Sequence, residues 1–169
     1  SFETLKLAAG LTLLSPSIPL IFMGEEYGEP AGFPYFVSYS DKDLIQAVRH
    51  GRHEDLSALW GRVDQLDPQD ETTFLNAKLE LNLAKALPHS QLLEFYKTLI
   101  RYRKTSSISH VKHFDRHAVK YSEKNFFLLV NHKSDLKEIS IIFNFNTSPQ
   151  EIRLPLRNGQ WTKIIDSSD

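Results

Sequence analysis

Glu25, Glu26 and Glu29 stand within five residues of one another, just beyond the apolar run Ile18–Met23. Carboxylates this close can divide acid and base work on a glycosidic bond. The same acids can also accept hydrogen bonds from loop amides or face a basic partner, as most surface acids do. Tyr27, Phe33, Tyr35, Phe36 and Tyr39 crowd the same stretch. Flat aromatic faces stack on the C–H faces of sugars, and Tyr adds a polar tip suited to a wet cleft. Anchoring of the loop is the other use for such rings. His110, His113 and His117 have a spacing that would suit a metal on a helix. They lie at the onset of strands, where positions three apart point to opposite faces, so no metal site is expected. No P-loop, dinucleotide fingerprint or nucleophile elbow is present. The basic cluster Lys97, Arg101, Arg103 and Lys104 reads as a solvated helix end.

These residues need elements to hold them. Phe2–Leu14 is apolar around much of its circumference, which predicts a buried helix stopped by Ser15-Pro16-Ser17. Ile18–Met23 lacks alternation, as does a strand covered on both faces of a parallel sheet. Chemistry in such folds gathers at the carboxyl ends of strands, where Glu25 and Glu26 fall. Yet the chain contains no second clear parallel strand to complete its ladder. A loop follows over 24–40. Ser40-Asp41-Lys42-Asp43 opens a helix over 41–51, with a shorter one near 53–60, and Asp67–Glu71 caps another near 70–80. Pro88–Lys104 carries Leu92, Tyr96, Leu99 and Arg103 at helical spacing.

Character changes after Thr105-Ser106-Ser107. The segments 117–122, 125–131, 138–145, 151–154 and 161–165 are short, aromatic and β-branched, with turn residues between them. They predict an antiparallel meander or sandwich. Asn146-Thr147-Ser148 has the form of a glycosylation sequon but reads as one of those turns.

Composition narrows the function classes. The 169 residues are 41% hydrophobic and 24% charged, with 20 basic against 21 acidic side chains. A folded domain or two is expected, without the basic field that nucleic acid selects. There is no cysteine, which excludes disulfides and thiol chemistry. No apolar run spans a bilayer and no signal peptide is visible, so a cytoplasmic protein without membrane partners is expected.

Two stretches resemble a known family. Ser15–Gly28, with Gly24-x-Glu26, looks like the eighth barrel strand and last common motif of the α-amylase family of glycoside hydrolases. Asp67-Pro68-Gln69-Asp70-Glu71-Thr72-Thr73-Phe74 followed by Lys78-Leu79, and Phe33-x-Tyr35-Phe36 followed by Asp41, resemble its trehalose-forming branch, the malto-oligosyltrehalose trehalohydrolases. Ser38-Tyr39 and Leu81 depart from that pattern. The resemblance implies an α+β chain. Residues 1–105 would be the last helix, strand and helix of a (β/α)8 barrel, and 106–169 an antiparallel β-sandwich domain, cut short.

The resemblance further implies that the family's nucleophile Asp, acid/base Glu and third Asp follow barrel strands that would precede Ser1. None maps onto this chain, which should be silent by itself. Glu25, Glu26, Tyr27 and Phe36 would shape a substrate-binding cleft wall, with no catalytic residue, cofactor or metal. The parent would hydrolyse the α-1,4 bond that releases trehalose from maltooligosyl trehalose. Other readings are an α-glucan-binding or scaffolding module and a part of a glucan branching enzyme; the Asp67–Phe74 motif argues against the latter. An unpaired edge at residues 18–23 would invite self-association.

Overall fold

The computed structural model describes residues 1–15, 17–60, 66–106, 117–122, 127–133, 138–154, 156 and 158–168. His110 and His113 lie outside this set, and of His117 the backbone alone is described. The helices are α1 (Phe2–Leu14), α2 (Lys42–Trp60), α3 (Glu71–Asn76) and α4 (His89–Thr105). Short 3₁₀ turns cover Glu25–Tyr27 and Leu81–Lys85. The strands are β1 (His117–Ser122), β2 (Phe127–Lys133) and β3 (Glu138–Asn144). They form one antiparallel sheet in the order β1-β2-β3.

The chain divides into two compact units. One joins Ser1–Gly28 to Ala86–Asp169; the other is Glu29–Lys85. The first unit has a hydrophobic core. Ala9, Leu13 and Leu14 of α1 meet Leu92, Tyr96 and Leu99 of α4, and Ile139 and Ile141 of β3 pack against them. Alternation along β3 sends Ile139, Ile141 and Phe143 to one face. Gly10 marks the close approach: a Cβ there would lie 3.2 Å from the Phe143 ring. On the other face of the sheet, buried Asn131 accepts a 2.6 Å hydrogen bond from Ser140 Oγ, its partner in register.

Arg103 closes the C-terminal end of α1. Its Nη1 donates to the carbonyls of Leu13 and Ser15, at 2.7 and 2.5 Å, and Nη2 to that of Ser17 at 2.7 Å. The last carbonyls of a helix have no partner within it, and a planar guanidinium can serve several at once. From sequence, Arg103 belongs to a solvated basic end of its own helix. In the structure it caps a different one.

Ile18–Met23 corrects the sequence reading: it is not a strand. Ile18 and Leu20 are 92% and 87% exposed. A strand needs a neighbour to take its N–H and C=O groups, and no described segment offers one here. Segments 151–154 and 161–165 are likewise without strand pairing, so the described sheet has three strands rather than the layers of a sandwich. The expected helices near 41–51 and 53–60 are one continuous helix, α2, while α3 is shorter than the predicted 70–80. Asp41, not Ser40, caps α2, its Oδ1 accepting from the amides of Asp43 and Leu44. Among the described residues no helix is long and apolar enough to cross a membrane.

Candidate functional site

Glu25, Glu26 and Tyr27 share one 3₁₀ turn between Gly24 and Gly28, both with positive φ. At Gly28 the φ of 72° disfavours any L side chain, and the space is also closed. A Cβ would come within 3.1 to 3.3 Å of Leu5, Leu92 and Phe2. The turn is therefore pressed against the core. Tyr27 is buried, and its carbonyl meets His89 Nδ1 at 2.7 Å.

The two adjacent acids differ. Glu25 Oε2 accepts from the amide of Phe22 at 3.1 Å, and Oε1 accepts from Tyr96 Oη at 2.9 Å. Burial, followed by the hydrogen bond to Glu25 and the nearby negative charge, pushes the Tyr96 phenol well above its ordinary value. Tyr96 therefore stays a neutral donor at any working pH. Glu25 is a brace. Glu26 is half-buried in the same turn, and no described side chain or amide hydrogen-bonds its carboxylate. Of the pair, Glu25 alone is tied to Tyr96 and the Phe22 amide.

Glu29 belongs to the second unit and serves its backbone. Oε1 accepts from the amide of Ala31 at 3.0 Å and Oε2 from that of Glu80 at 2.9 Å. For Glu25 and Glu29, the reading as loop-amide acceptors holds.

Phe36, the fourth expected site residue, also lies in the second unit. Its ring meets Phe33 and Phe74 edge to face, with centroids 5.8 and 5.2 Å away. The loop around it is held by the Asp67–Asp70 motif, one residue at a time. Asp67 takes Arg49 in a two-pronged bond, Nε to Oδ1 at 2.9 Å and Nη2 to Oδ2 at 2.6 Å. The Pro68 carbonyl accepts from the Val37 amide at 2.8 Å. Gln69 pairs with the Tyr39 backbone in both directions, at 3.2 and 2.8 Å. Asp70 caps α3 through the Thr72 amide at 2.8 Å, and Thr73 Oγ1 donates to the Asp67 carbonyl at 2.7 Å. The Arg49 guanidinium, then the Gln69 amide, hold the Asp67 carboxyl below its usual range.

Sequence reasoning places Asp67–Glu71 as a helix cap and misses its grip on residues 37–39. The two segments are some thirty positions apart, and Gln69 carries no local sign that its amide faces a distant backbone. Among the described residues no group of His, Asp or Glu could hold a metal ion.

Comparison with known proteins gives this geometry a context. The chain is 45% identical over 102 residues to malto-oligosyltrehalose trehalohydrolase of Saccharolobus solfataricus, covering 60% of this chain and 16% of that enzyme. It resembles the malto-oligosyltrehalose trehalohydrolases. The trehalohydrolase of Rhizobium sp. strain M-11 is 39% identical over 106 residues, 62% of this chain and 18% of the enzyme. That of Mycobacterium tuberculosis is 33% identical over 127 residues, 75% of this chain and 22% of the enzyme. An α-amylase-like crystal structure from Salmonella typhimurium superposes with a TM-score of 0.76 at 28% identity, over 92% of this chain and 26% of that one. The chain spans about a fifth of the length of the curated relatives it matches. No protein-family model matches it.

Proposed function

We propose that this chain forms the non-catalytic C-terminal flank of an α-glucan hydrolase that releases trehalose from maltooligosyl trehalose. Residues 1–105 would complete a barrel, and 106–169 would be its β domain. Glu26 would face the cleft from a turn that buried Tyr27 anchors to the core and Glu25 braces. The observation that carries this reading is the unequal use of the adjacent acids. Glu25 is tied to Tyr96 and the Phe22 amide, whereas Glu26 has no such ties. A catalytic pair needs two carboxylates facing one bond; a wall needs one acceptor on a rigid turn. The likeness to trehalohydrolases supplies the substrate class.

The proposal predicts binding of maltooligosyl trehalose by the intact chain. Amide resonances of Glu26 and Tyr27 should move on titration, and Glu26→Gln should weaken the affinity. Glu25→Gln should instead alter the Phe22 amide before any sugar is added. Spectra unchanged at 26 and 27 up to millimolar sugar would count against the proposal.

A further inference from the structure

The second unit exposes more aromatic surface than its own packing explains. Phe33, Tyr35, Tyr39 and Phe74 are 55%, 43%, 39% and 42% exposed. Exposed rings gathered in one segment mark recognition surfaces more often than scattered ones do. Their backbone is also fixed before any ligand arrives, because Pro68 holds Val37 and Gln69 holds Tyr39. Rings on a fixed backbone lose little conformational freedom on binding. Cations lie over two of the rings: the Arg52 guanidinium 5.1 Å from the Tyr35 ring centre and Lys78 Nζ 5.0 Å from that of Phe74. The neighbouring Tyr39 side chain raises the Tyr35 phenol above its usual value.

We infer that Phe33, Tyr35 and Tyr39, pinned by Pro68 and Gln69, form a stacking platform for a linear α-glucan chain. Exposed ring faces with tyrosine hydroxyls at the edge match a pyranose ring, which presents C–H groups on its face and hydroxyls around its rim. The choice of an α-glucan rests on the proposed function. The platform residues lie wholly within the second unit, whereas the turn that carries Glu26 belongs to the first.

The test is an aromatic ¹H–¹³C titration of the full chain with maltoheptaose. The ring signals of Phe33, Tyr35 and Tyr39 should shift together. Phe33→Ala and Tyr35→Ala should each weaken binding at least about fivefold, while Tyr35→Phe, which keeps the ring, should stay within about twofold. Both aromatic positions are exposed, and unchanged circular dichroism would confirm that each variant folds. Maltoheptaose binding that moves residues 26 and 27 but no platform ring overturns the platform and leaves the proposed function standing. Platform shifts with maltoheptaose, without any response of 26 and 27 to maltooligosyl trehalose, support the platform and count against the proposed cleft wall. Ring signals that move with protein concentration and not with sugar overturn the platform in favour of a second copy of the chain.

Discussion

The two compact units are held together by different means. In the first, Ala9, Leu13, Leu92, Tyr96 and Leu99 are almost fully buried, and polar groups work at the margins. In the second, Ala77 is the one buried hydrophobic side chain among the described residues, with Pro68 and Thr73 also buried. Arg49, Asp67, Gln69 and Asp70 do the holding there. Burial is non-directional, so a core tolerates many backbones. Hydrogen bonds are directional, so a polar staple selects one loop shape. The first unit is built for stability. The second fixes a loop conformation while leaving Phe33, Tyr35 and Tyr39 exposed.

The largest expected effect breaks the first unit. Leu92→Ala deletes a side chain with no exposed surface at the α1–α4 contact and should cost about 2–5 kcal/mol in chemical denaturation. A loss below about 1 kcal/mol would mean that this core is not what holds the unit.

Next is Arg103→Ala, which leaves the carbonyls of Leu13, Ser15 and Ser17 without their donor. A loss of about 2 kcal/mol is expected, with faster amide exchange in the last turn of α1. Uniform exchange along α1 would contradict the capping role.

Gln69→Ala sharpens the comparison from the other side. It removes two hydrogen bonds to Tyr39, a loss of about 1–2 kcal/mol confined to the second unit. Exchange at the Tyr39 amide should rise, while the Leu92 and Leu99 amides stay protected. Loosening of α4 to the same degree would contradict a staple whose effect is confined to the second unit.

The smallest effect comes with pH. Asp67 is held below its ordinary value of 3.8, chiefly by Arg49. A carboxyl lowered in the folded state stabilises fully above its unfolded pKa and ceases to do so as pH falls through the folded one. The Arg49 Nε signal should therefore be steady from neutral pH to about pH 5 and change only as acid passes through and below 3.8. A change already at pH 6 would contradict the assignment to Asp67.

Legibility in the sequence followed the range of the forces. α1 emerges with the expected bounds, because 13 apolar-patterned residues carry a local signal strong enough to stand alone. β1 does too, and β2 and β3 shift by at most two residues. The Ile18–Met23 prediction fails because a strand is a property of a pair, and an apolar run is silent about its neighbours. At the site, Glu25 and Glu26 are indistinguishable in the sequence. What separates them is Tyr96, 71 positions away, whose hydroxyl reaches one carboxylate and leaves the other. Arg103 and Gln69 were hidden for the same reason: each acts on a distant backbone.

The most direct test of the account is to incubate the intact 169-residue chain with maltooligosyl trehalose and follow both trehalose release and the Glu26 and Tyr27 amide signals. The account predicts that the signals move and that no trehalose forms. Trehalose release by this chain alone would contradict it, because the bond would then be cleaved by carboxylates that the account assigns to binding and bracing.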